Sequence, residues 1–164
     1  MKKNFSFFKS HLSSPAGFTA VEVILIMSLL AILLSLVSVN LFKFQHKSQL
    51  SSTIDTFLAD YKEQQIKAMV GDTSGTATPS AYGIHLETTS YTEFRNIYGT
   101  DNFILSLPSG TQFTSTTFSN SQVLFATGSG EVATGDNTIT IKDTGDNTQK
   151  VITINKYGVV KSVN

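Results

Sequence analysis

The chain has 164 residues, 40% of them hydrophobic, with twelve basic and twelve acidic residues and no cysteine. This length allows one domain plus an anchor, and the even charge gives no fibre-like or tail-like bias. The absence of cysteine excludes disulfides, a thiolate nucleophile, a lipoprotein signal and any Cys-ligated zinc or iron–sulfur centre.

Charge is distributed unevenly along the chain. Residues 1–17 carry Lys2, Lys3 and Lys9 and no acid, leaving nine basic against twelve acidic residues from Phe18 onward. A basic flank ahead of an apolar segment favours retention of that flank in the cytoplasm, with the chain after the segment outside, although Lys43 and Lys47 blur the asymmetry. Pro15 disfavours helix at its predecessor, so the basic leader and the apolar segment read as separate units.

From Phe18 to Phe42 the only charge is Glu22, and Val23–Val39 has none. At about 1.5 Å per residue that length spans a hydrocarbon core of about 30 Å, so 18–42 is expected to be a membrane helix. A chain this small offers nothing to surround such a helix as a buried core element. Around Leu36-Val37-Ser38-Val39 no Ala-x-Ala pattern marks a secretory cleavage site. Glu22 is the anomaly, because an unpaired acid in a bilayer costs about 2.5–3.5 kcal/mol on insertion scales and asks for a partner.

After Lys43 the pattern becomes amphipathic. Leu50, Ile54, Phe57, Leu58 and Tyr61 fall at helical spacing between Lys47, Asp55, Asp60, Glu63 and Lys67, which predicts a continuation of the helix over 43–70 with Gly71-Asp72 as its stop. His46 on this stretch has no second ligand at metal spacing and is expected to be solvated. From Ala81 the apolar period shortens to two. Tyr82-Ile84-Leu86, Phe103-Leu105-Leu107, Val123-Phe125, Ile139-Ile141 and Ile152-Ile154 read as half-buried strands of an antiparallel sheet, with a hairpin at Thr88-Thr89. The expected fold is therefore α+β, a long N-terminal helix with an apolar membrane half and an amphipathic half, packed on one antiparallel β-sheet domain over 71–164.

Thr134-Gly-Asp-Asn-Thr138 recurs as Thr144-Gly-Asp-Asn-Thr148, and both copies read as turns. Asp136, Asp143 and Asp146 are weak calcium candidates, since the regular loop spacing and its terminal Glu are missing. No G-x-S-x-G elbow, phosphate loop, H-E-x-x-H or dinucleotide fingerprint occurs, so neither catalysis nor a cofactor is expected.

Gly17-Phe18-Thr19-Ala20-Val21-Glu22, with a basic leader before it and an apolar stretch after it, resembles the class III signal of type IV prepilins and type II secretion pseudopilins. The resemblance implies that residues 1–17 are a leader removed after Gly17 by a prepilin peptidase, which also methylates the new terminus at Phe18. It further implies that 18–42 forms the transmembrane and filament-core helix, and that Glu22, fifth in the mature chain, serves assembly. A neighbour's Phe18 ammonium would meet that carboxylate, and truncating one member of such a buried pair costs about 3–5 kcal/mol.

The implied partners are the peptidase/methyltransferase, other pilin or pseudopilin subunits, an inner-membrane assembly platform and membrane lipid. The implied localisation is the cytoplasmic membrane, single-pass, with the β-rich part outside, and then the filament. Phe125-Ala-Thr-Gly-Ser-Gly130, Thr138-Ile-Thr-Ile and Ile152-Thr-Ile-Asn-Lys-Tyr-Gly158-Val-Val is similar to the closing sheet of GspH/FimT-like minor pseudopilins.

Two other functions compete. A DNA-capturing pilin needs clustered cations, whereas residues 71–164 carry only Arg95, Lys142, Lys150, Lys156 and Lys161, and the tail Gly158-Val-Val-Lys161 lacks the first Arg of the Gly-Arg-x-Arg that DNA-binding relatives tend to carry. The other is a membrane-anchored surface domain that never polymerises.

Overall fold

Helical backbone begins at Ala20, after the non-helical residues Gly17 to Thr19. The Val23 N–H donates to the Thr19 carbonyl at 3.2 Å, the first bond of α1, which spans Ala20–Val70. The computed structural model describes residues 17–75, 77–132 and 135–164, without the side chains of residues 37–44 and 101. The chain divides into two units, Met1–Asn40 and Leu41–Asn164. The leader over 1–16, and Thr134 of the first turn copy, lie outside the described residues.

In the first unit the described helical side chains, 20–36, are exposed throughout. Ser28 and Ser35 donate to the carbonyls of Leu25 and Ile32 at 2.8 and 2.7 Å, so these two hydroxyls are satisfied by their own helix.

In the second unit the helix, whose side chains are described over 45–70, buries Leu50, Ile54, Phe57, Tyr61 and Ala68 along one stripe. It stops after Val70 because the Gly71 N–H returns to the Ala68 carbonyl and the Asp72 N–H to that of Lys67, the paired bonds of a Schellman end. Eight antiparallel strands follow: β1 Tyr82–Leu86, β2 Ser90–Arg95, β3 Asp101–Ser106, β4 Thr111–Thr116, β5 Gln122–Phe125, β6 Asn137–Asp143, β7 Gln149–Ile154 and β8 Val160–Val163.

They form two sheets rather than the single one expected from the strand pattern. The orders are β3-β2-β1-β5 and β4-β6-β7-β8. The chain changes sheet after β3, where Pro108 to Gly110 turn β4 away to pair with β6, and again where β5 returns beside β1. The Thr88-Thr89 turn joins the sheets, accepting N–H bonds from Leu107 and Phe113 at 2.9 Å each. Phe57 fills the angle between them, its ring edge-on to Tyr91 of β2 at 5.3 Å and to Phe113 of β4 at 5.4 Å.

A second correction concerns the helix. Among the described residues no helix is long and apolar enough to cross a membrane. In place of the expected membrane-length apolar helix on one sheet, the part of α1 over 45–70 packs against two four-stranded sheets.

Candidate functional site

Gly17, Phe18 and Thr19 precede the helix in non-helical backbone, and all three are exposed, Phe18 at 77%. A peptide bond in exposed, non-helical chain is one that a peptidase can engage, whereas the same bond inside a helix would first have to be unwound. The Gly17–Phe18 bond is of the first kind.

Glu22 stands in the first turn of α1 and is exposed. Its backbone N–H donates to Thr19 Oγ1 at 3.2 Å. Thr19 is thus the N-cap, and Thr19-Ala20-Val21-Glu22 has the T-x-x-E order of a capping box. Reading Glu22 only as an anomaly in an apolar run misses this cap, although the T-x-x-E order signals it. Only half of the box is made, since among the described residues the Glu22 carboxylate has no hydrogen-bond partner. The positive end of the helix dipole favours an acid here, by about 0.3–1 kcal/mol. The carboxylate is therefore held at the helix start, four residues after the Gly17–Phe18 bond and open to an incoming cation.

The calcium candidates do not converge. Asp136 accepts from Lys161 Nζ at 2.7 Å. Asp143 is 1% exposed and committed on both oxygens, Oδ1 to the N–H groups of Gly145 and Asp146 at 2.7 and 3.4 Å, and Oδ2 to His46 Nδ1 at 3.2 Å. Asp146 accepts from the Thr148 N–H at 2.8 Å, a bond that holds its carboxyl below the usual range. These are turn contacts, and no group of metal-ligating side chains occurs among the described residues. His46, expected in solvent, instead ties the helix to the β6–β7 turn. The 97 residues between the pair left no local signal.

Phe125, Gly130 and Gly158 meet on one stretch of α1. Tyr61 packs edge-on to Phe125 at 4.9 Å and donates its hydroxyl to the Gly158 carbonyl at 3.2 Å; burial raises that hydroxyl's pKa. Gln65 Nε2 donates to the carbonyls of Gly130 and Tyr157 at 3.0 and 2.9 Å. Both glycines have positive φ, and a Cβ on Gly158 would lie 2.3 Å from Gln65 Nε2 and 2.9 Å from the Gly130 carbonyl. The spacing of these residues is that of a clasp closing the second half of the chain on the helix.

Comparison with protein-family models, with characterised proteins and with solved structures finds no match to this chain.

Proposed function

We propose that the chain is a minor pilin or pseudopilin, a structural subunit of a type II secretion pseudopilus or type IV pilus. It is cut after Gly17 by a prepilin peptidase, methylated at Phe18 and assembled through its N-terminal segment. The observation that carries this reading is the juxtaposition at the start of α1: an exposed Gly17–Phe18 bond in non-helical chain, and a carboxylate at Glu22 in the first turn with no hydrogen-bond partner among the described residues. Cutting the bond creates an ammonium at Phe18, and a neighbouring copy's ammonium completes Glu22.

The apolar run after Glu22 supports insertion in the cytoplasmic membrane, with the β-rich unit outside, and its serines are already satisfied by their own backbone. The partners are the peptidase, sibling subunits, the assembly platform and lipid, and no catalysis is assigned to the chain itself.

The test is Glu22→Ala, followed by fractionation of membranes and of sheared filaments. The variant should remain in the membrane and be absent from filaments. Normal incorporation of the variant would remove the role given to Glu22 and leave the non-polymerising anchored domain as the better account.

A further inference from the structure

Two surfaces of the Leu41–Asn164 unit are left apolar and open. β3 is an edge of its sheet, with a strand on one side only. On it Phe103 and Ile104 are 64% and 65% exposed, on opposite faces. Edge strands are commonly blunted by lysine, proline or a bulge. Asn102-Phe103-Ile104-Leu105 has neither residue, and its register with β2 runs unbroken. The second surface is a cleft of about 370 Å³ between α1 and the start of β8, walled by Lys62 and Ile66 on one side and by Gly158 to Val160 on the other. Ile66 and Val159 on its rim are 56% and 55% exposed.

These surfaces lie on different flanks of α1. Gln64 and Lys67 face the β2–β3 side, whereas Lys62 and Ile66 face β8. Lys62 and Lys67 are separated by roughly 140° around the helix. A contact joining the two surfaces is therefore heterologous, each copy giving β3 to one neighbour and receiving it from another, the kind of contact that builds an open helical filament where its rotation does not close a ring.

Charge favours that pairing. Opposite Phe103 in the ladder stands Glu93, whose carboxyl is raised to about 7 by burial first and by the nearby Asp60 charge second. Glu63 adds to this effect, and Lys67 opposes it while lying 2.7 Å from Glu63. Tyr82 of β1 and Arg95 of β2 also line this side. With Asp60, Glu63 and Glu93 beside Lys67 and Arg95, this side of the unit holds one more acid than base. The cleft has the reverse balance. Lys62 borders it, and Lys156 lies nearby over the Tyr157 ring at 4.7 Å. Among the described residues neither lysine has a carboxylate within ion-pair distance.

We propose that a second copy of the chain seats its β3 edge in this cleft, Phe103 between Ile66 and Val159, with Lys62 brought to Glu93. The inference rests on the reading of the chain as an assembly subunit and adds the contact made by its β-rich unit.

Because the chain has no cysteine, engineered thiols report the contact directly. Full-length Phe103→Cys and Val159→Cys variants are mixed in detergent micelles, oxidised and resolved without reductant. Both sites are exposed, and circular dichroism confirms that each variant is folded. The mixture should give severalfold more covalent dimer than either variant alone, the double variant a ladder, and Lys62→Glu a severalfold loss that Glu93→Lys in the partner restores. A mixture no better than the single variants, or Phe103→Cys linking to itself as efficiently as to Val159→Cys, overturns the proposal. Processing is scored separately by mass. Cleavage at Gly17 without the 103–159 link defeats the docking alone, and the link without cleavage defeats the assembly reading alone.

Discussion

His46 Nδ1 lies 3.2 Å from Asp143 Oδ2, joining the helix to the tip of a hairpin that begins 97 residues later. The two partners are unequal. His46 is 37% exposed at its side chain and Asp143 is 1% exposed, and Asp143 also gathers two backbone N–H groups of its own turn.

Removing them should therefore cost different amounts. His46→Ala leaves the carboxylate with its turn donors and should lower stability by about 1 kcal/mol, whereas Asp143→Ala removes three bonds to a charged, buried acceptor at once and should cost about 2–3 kcal/mol. Urea unfolding of the full chain in micelles measures both. Equal losses would mean that the histidine, not the turn, supplies the stability of this corner.

Gly158→Ala should destabilise the β-rich unit by about 2–3 kcal/mol, because the new methyl meets Gln65 Nε2 and the Gly130 carbonyl in a backbone of φ +73°. Combining it with Gln65→Ala should recover only part of the loss, since the contact with the Gly130 carbonyl and the unfavourable φ remain. Full recovery in the double variant, measured by thermal unfolding, would show that the side-chain clash was the whole effect.

Stability should also depend on Glu93 through pH. Its carboxyl is raised from 4.5 to about 7 in the folded chain, by burial and then by Asp60. Between those values the folded state holds a proton that the unfolded chain has released, so stability falls as pH rises through this window and is lowest above it. Partial screening by solvent keeps the effect near about 1 kcal/mol. Glu93→Gln should abolish this part of the slope, and midpoints of urea unfolding at about pH 5 and about pH 8 for both proteins decide it. A slope unchanged in the variant would assign it to other groups.

Much of this architecture was legible in local pattern. The stripe of Leu50, Ile54, Phe57 and Tyr61 needs only the helical period, and β1, β2, β6 and β7 need only alternation. β4 and β8 were not legible. Thr111–Thr116 carries one large apolar residue, Phe113, and Val160–Val163 is a short edge strand with lysine and serine side by side between two valines. Without them the remaining strands read as one sheet, because nothing local records that Pro108 to Gly110 sends the chain to a second. At the candidate site, the Gly17–Phe18 junction and the acid were visible as residue types at fixed spacing, and the Thr19 cap follows from T-x-x-E. The His46–Asp143 pair and the Gln65 bridge were not visible, because they join residues far apart in sequence through contacts that only the fold creates.

The Thr19 cap gives Glu22 a local role as well as the proposed assembly role, and the two separate by mutation. Thr19→Ala should weaken the helix start by about 1 kcal/mol and leave filament incorporation in place, whereas Glu22→Gln keeps the shape, removes the charge and should block incorporation. Equal defects in the sheared-filament fraction would reduce Glu22 to a capping residue.

The central claim is that the chain is cut between Gly17 and Phe18. Intact-mass and terminal-sequence measurement of the protein purified from membranes tests it most directly. The mature chain should start at Phe18 with one methyl group added to its amine. A terminus at Met1, or one beyond Val39, would contradict it.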